Sequence, residues 1–264
     1  MCITIVALIL PTISFADIGP KPSVVIDFEG LENETYYVTL LSEVASTGPH
    51  SALLDADDYE RYQPSDAHYE IWQKFINYKD TSGYYFLQFF GDATQTHRFV
   101  WGYYPPPKFK ILLYFPEVDR FVVSDTVYER YAFDSYFTVD AKHLNFEMGT
   151  SSQTITAEKQ YFYTWEIFSL FVRIIATIVI EILIALLFGF KAKKQLQLII
   201  VVNIITQTLL NILLNITNYK YGNMMFLFNY FWLEALVLAI EAKVYAIYLP
   251  KLSGEHSKKP RSEE

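Results

Sequence analysis

Residues 165–190 read WEIFSLFVRIIATIVIEILIALLFGF, and Lys191, Ala192, Lys193 and Lys194 follow at once. A helix of that length covers about 30 Å of hydrocarbon at about 1.5 Å per residue, so the stretch predicts a membrane span. Two more candidates follow, 196–216 and 224–249. The segment between the first two (191–195) holds three lysines, and the tail (250–264) carries Lys251, Lys258, Lys259 and Arg261, whereas the link 217–223 has only Lys220. Lysine and arginine collect on the cytoplasmic side. The expected chain is therefore multi-pass, entering the membrane from outside at 165 and ending in the cytoplasm.

The N-terminus points the same way. Residues 2–15 (CITIVALILPTISF) form an apolar run too short to span comfortably, with small residues at Ser14 and Ala16 before Asp17. This predicts a signal peptide over 1–16. It lacks a basic leader, which leaves open a later-assigned start or a retained short anchor, and a buried strand is a third reading. Cys2 is the only cysteine and lies in that segment, so no disulfide is expected in the mature chain. No lipobox precedes Cys2, which disfavours lipidation there.

Charge separates the two halves. Residues 17–160 hold 22 acidic against 11 basic residues, so the acidity of a chain with net charge −8 belongs to the exported part. Such a domain repels nucleic-acid phosphates, and no nucleic acid partner is expected. Within 17–148, short runs such as SVVIDF (23–28), YYVTLL (36–41), YYFLQFF (84–90), FVWGYY (99–104), FKILLYF (109–115), RFVVS (120–124) and SYFTV (135–139) alternate in period two or are continuously apolar between turn residues, the pattern of strands. FKILLYF turns through PEVD into RFVVS, a hairpin expected to bury one face. One helix is predicted over 68–78, with Ser65 or Asp66 as its cap and Ile71, Trp72, Phe75 and Ile76 as its apolar stripe. The expected fold is thus an all-β, sandwich-like extracytoplasmic domain with one short helix, a flexible stem (149–164), and a three-helix transmembrane bundle.

Polar residues inside the spans are costly in hydrocarbon and therefore informative. Arg173, Thr177 and Glu181 are spaced four apart, as are Asn203, Gln207, Asn211 and Asn215, while Glu234, Glu241 and Tyr245 follow at seven and four. Each set falls on one helix face. Measured from span midpoints, the depths predict an inner layer of Glu181, Asn203 and Glu241 and an outer layer of Arg173, Asn211 and Glu234, with Arg173 and Glu234 as an ion pair. These groups serve either as glue between helices or as a cation or proton site, since two carboxylates in low dielectric do not both stay ionised without a proton or metal between them. Three helices are too few to enclose a pore, so transport would need oligomerisation or a partner subunit. Tyr161, Tyr163, Trp165, Tyr219, Tyr221 and Trp232 supply rings for the outer interface.

In the exported domain, WGYYPPP (101–107) offers Trp101, Tyr103 and Tyr104 either as a ligand platform or as core. DADDYE (55–60) has the charge of a calcium loop without its turn glycine, which favours a solvated acidic loop. No HExxH, GxSxG, GxGxxG or Walker loop occurs, and the spans contain no histidine. No metal, no cofactor and no enzymatic activity are expected. The opening DIGPKPSVVIDFEG, the block WGYYPPPKFKILLYFPEVDRFVVSDTVYERYAFDSYF and the span residues Glu181, Asn203, Thr206, Asn211, Glu234 and Glu241 resemble a group of uncharacterised exported proteins of Gram-positive bacteria. That resemblance implies a bacterial envelope protein and assigns no chemistry to any residue. The expected role is a non-enzymatic envelope protein with an external binding domain, whose helical region meets another membrane protein or a second copy of itself; the alternative is a transporter or channel subunit using Glu181 and Glu241.

Overall fold

The computed structural model describes residues 20–53, 62–145, 153–161 and 163–253. The expected signal peptide, Cys2, the acidic loop 55–60, the first part of the stem, most of the basic tail and the side chains of Tyr163 and Trp165 lie outside the described residues.

The N-terminal region is sheet-rich. Strands β1 (Ser23–Glu29), β2 (Tyr37–Ser42), β3 (Tyr85–Phe86), β4 (Gly91–Asp92), β5 (Arg98–Trp101), β6 (Lys108–Phe115), β7 (Arg120–Ser124), β8 (Tyr128–Glu129), β9 (Asp134–Asp140), β10 (Thr154–Ile155) and β11 (Ala157–Lys159) surround one helix, α1 (Tyr69–Asn77). They form two sheets, one ordered β11-β9-β1-β5 and the other β10-β7-β6-β2-β3, with β4 also on β2 and β8 on β6. Both sheets are mixed, because β1 runs parallel to β9 and β10 parallel to β7. Their facing sides share one core: Val24, Ile26 and Phe28 of β1, Val38 and Leu40 of β2, and Phe109, Ile111, Leu113 and Phe115 of β6.

Strand β6 buries both faces, not the single face expected. Its other side carries Leu112 and Tyr114, which pack with Trp72 and Phe75 of α1 in a second cluster. The reason is α1 itself, whose apolar stripe covers the outer face of that sheet. The same face holds Lys110, whose Nζ binds Asp80 at 3.1 and 3.2 Å and Ser82 Oγ at 2.9 Å.

Three local expectations change. YYFLQFF is not one strand, because Gln88 adopts a left-handed backbone (φ 58°) that breaks the run between β3 and β4. The N-cap of α1 is His68 without a side-chain cap bond, while Asp66 Oδ2 instead accepts from Gln63 N at 2.8 Å. The end of the expected stem is strand: Thr154–Ile155 joins β7 and Ala157–Lys159 joins β9, so the chain crosses from one sheet to the other before the long helices.

Beyond the sheets the structure has two helical elements, not three, both long and apolar enough to cross a membrane: α2 (Tyr163–Leu187) and α3 (Lys193–Ser253). Only 6% of α2's span is buried, unlike a soluble core helix. It ends where Gly189 (φ 85°) lets Phe190 N reach Ala185 O at 2.9 Å and Gly189 N reach Leu186 O at 3.1 Å, a pair of bonds that closes a helix C-terminus and needs the left-handed residue between them. In α3 the expected outer loop is absent. The chain stays helical on both sides of Gly222, whose φ of 80° and ψ of 178° are the only non-helical values. Thr206 and Glu241 would stand about 50 Å apart in a straight helix, yet they share a hydrogen bond. The chain therefore reverses at Gly222, and 193–221 packs antiparallel to 223–253.

That reversal carries the β domain. A helix break frees the carbonyl of Tyr219, which would otherwise accept from residue 223, and Phe133 N donates to it at 2.9 Å. Phe133 O in turn accepts from Ser23 N at 3.0 Å, at the start of β1. A Cβ on Gly222 would stand 2.5 Å from Phe133 Cδ1, so the glycine also gives the domain its seat.

Candidate functional site: buried polar layers between the helices

The four-residue spacing of the polar groups turns them onto one another. At the inner level Asn203, fully buried, donates from Nδ2 to Glu181 Oε2 at 2.5 Å and to Tyr245 OH at 3.0 Å, and Tyr245 OH donates to the same Glu181 oxygen at 2.7 Å. Thr206 donates to Glu241 Oε1 at 2.5 Å. The Glu241 carboxyl, 2% exposed, lies within hydrogen-bonding reach of Glu181. Glu181, Asn203 and Glu241 thus come together at one level of the bundle, one from each helical segment.

The outer layer forms only in part. Arg173 Nη1 donates to Asn211 Oδ1 at 2.8 Å, and its guanidinium stands 5.5 Å from the centre of the Tyr230 ring. Among the described residues no Arg173–Glu234 ion pair forms within 4.0 Å; Asn211 and Tyr230 take the guanidinium instead. Glu234 Oε2 is buried without a hydrogen-bond partner. Asn203 Oδ1 and Gln207 Oε1 share that condition, so the interface keeps three buried acceptor oxygens unsatisfied. A hydroxyl, a water or a cation has the chemistry to meet them.

Tyr245, Thr206, Tyr230 and Gln195 extend the set beyond the six residues first singled out. Tyr245 follows Glu241 by four residues and Thr206 follows Asn203 by three, so both had a face signal. Tyr230 had none, since ring stacking on a guanidinium leaves no spacing rule. Gln195 Nε2 caps the other end of the bundle by donating to Leu249 O at 2.9 Å.

In the β domain, Trp101 is core: it is fully buried against Phe89 and His50, with Nε1 donating to Tyr103 O at 3.1 Å. The three aromatic residues do not form one platform. Tyr103 and Tyr104 remain at the surface edge to face, 4.9 Å between centres, with Lys21 Nζ 5.2 Å from the Tyr104 ring. Tyr104 sits there because its backbone is left-handed (φ 50°). Comparison with protein-family models, characterised proteins and solved structures finds no match to this chain.

Proposed function

We propose that the chain is a non-enzymatic protein of the bacterial envelope: a β-sandwich outside the cell, held by three membrane passes, that binds a partner through its exposed surface. The observation that carries this reading is the seat of the β domain on the helix reversal, Phe133 N to Tyr219 O and Phe133 on Gly222. It puts the domain and residues 217–223 at one end of the bundle and Lys191, Lys193 and Lys194 at the other, as the charge rule requires of an external domain. Tyr161, Tyr219 and Tyr221, from 45% to 55% exposed, stand at the domain end of the bundle as outer-interface anchors do. The resemblance to exported Gram-positive proteins supports the same placement.

Most polar groups of the helix faces bond to one another within the chain, Glu181 with Asn203 and Tyr245, Thr206 with Glu241 and Arg173 with Asn211, which favours their use as glue. Partner contact then falls to the apolar outer faces of the helices and to the Tyr103–Tyr104 edge of the domain. The mass of the particle isolated in mild detergent tests this. A stoichiometric assembly, with itself or another membrane protein, is expected; a strictly monomeric particle with nothing associated contradicts the partner role.

A transporter or channel subunit is the second reading, favoured by one observation, the approach of the Glu181 and Glu241 carboxyls inside the bundle. It predicts that Glu181→Gln and Glu241→Gln each abolish a flux while the protein still accumulates. Equal loss of folded protein in both variants supports glue.

A further inference from the structure

The β domain touches the helix reversal without closing on it. Beside the Phe133 contact lies a cavity of about 570 Å³, in the size range of small-molecule sites, which favour such boundaries between structural units. Its domain side is polar, with Tyr131, Asp134 and Gln160. Its helix side is mixed: Ile167 and Leu170 from the first turns of α2 and Ile216 from α3 make an apolar floor, and Asn215, Asn218 and Lys220 of α3 line it as well.

Each wall has an unmet requirement. Gln160 Oε1 is buried and has no hydrogen-bond partner, although the backbone around it is fully engaged: Gln160 N donates to Tyr136 O at 2.9 Å and Gln160 O accepts from Tyr131 OH at 2.8 Å. The side chain is therefore held in place with an acceptor left over. Asp134 adds a carboxylate beside it, its Oδ1 accepting from Ser23 Oγ at 2.6 Å. Lys220 makes no ion pair among the described residues and is exposed. Ile167 is 54% exposed, so the apolar floor runs out onto the outer flank of α2. Water suits the polar groups, but Ile167, Leu170 and Ile216 offer it no partners.

We propose that this cleft binds a phospholipid of the outer leaflet whose head group carries hydrogen-bond donors. The phosphate pairs with Lys220, the head-group donor meets Gln160 Oε1 and Asp134, and the upper acyl chain lies over Ile167, Leu170 and Ile216. A lysine ammonium is a ready phosphate partner at such an edge, and the lipid reaches the cleft sideways along α2. Head groups with hydroxyls or an ammonium satisfy both acceptors; choline, which has no donor, leaves them bare. The site rests on the membrane-spanning reading, which fails separately if the chain is soluble without detergent.

The test is thermal unfolding of the full chain in detergent, titrated with phosphatidylglycerol, phosphatidylethanolamine, phosphatidylcholine or water-soluble glycerol phosphate. The first two should raise the midpoint saturably, phosphatidylcholine should need about tenfold more for the same rise, and glycerol phosphate should do nothing. Lys220→Ala, an exposed change, should weaken all three lipids. Gln160→Leu should bring phosphatidylglycerol down to the level of phosphatidylcholine. Leu170→Trp, which fills the floor, should remove the rise. Equal response to all three lipids in the unaltered protein, or an equal rise from glycerol phosphate, overturns the proposal.

Discussion

Asn203 is the residue on which the helix packing turns. It is fully buried, and its one amide group links α2 through Glu181 to the far arm of α3 through Tyr245. Asn203→Leu keeps the volume and removes both links, so the bundle should lose about 1–2 kcal/mol, read from denaturant unfolding in detergent. In the β domain the sensitive pair is Lys110 and Asp80, whose side chains are 8% and 1% exposed. Asp80→Ala strands the Lys110 ammonium beside the Tyr84 ring, and a loss of about 3–5 kcal/mol is expected in the same measurement. A third residue reports on pH. Burial and then the hydrogen bond to Asp119 push Tyr114 up from 10.0 to about 12. The folded phenol is thus harder to ionise than the unfolded one, so its contribution is complete below pH 10 and is lost as pH rises from about 10 to 12. Burial also raises Tyr36, Tyr37, Tyr78, Tyr131 and Tyr136, so phenolate absorbance should show a late-titrating group of tyrosines, from which Asp119→Asn should move one, Tyr114, to lower pH.

At the scale of elements, period and length were readable where packing is regular. Strands β1, β2, β6, β7 and β9 and helix α1 fall within about two residues of their sequence positions, because alternation such as Phe109, Ile111, Leu113 and Phe115 is written directly by the core they face. Breaks were not readable. Gln88 turns left-handed in a run with every mark of a strand, and no local residue type announces it. Strands β10 and β11 hide in a Ser- and Thr-rich segment because their partners, β7 and β9, are far away in sequence. The polar layers were legible from spacing and depth, since a four-residue repeat survives in the folded helix; the choice of partners within a layer was not, and Arg173 shows why. A ring and an amide at the right height displaced the carboxylate that charge alone would select. Gly222 reads in the sequence as one residue of a loop, yet it alone makes the reversal. Gly222→Ala meets both the positive φ and the Phe133 ring. It should cost about 1–3 kcal/mol, and adding Phe133→Ala should relieve the clash while leaving the backbone strain, so the double variant recovers only in part.

For the whole molecule, the helices and the β domain share one junction. Strand β11 leads by a short segment into α2, and the reversal of α3 returns to the same place to meet Phe133. The domain is thus fixed to one end of the bundle; on the proposed reading, that gives its surface a set height and orientation above the membrane. Everything proposed of its role depends on which side of the membrane that end faces. Single cysteines in a background with Cys2→Ser, one at Thr81→Cys in an exposed turn of the β domain and one at Lys193→Cys where α3 begins, decide it when intact cells are treated with a membrane-impermeant maleimide. The account predicts labelling at position 81 in intact cells and at position 193 only after lysis. Labelling at 193 in intact cells, or protection of 81 until lysis, would contradict it.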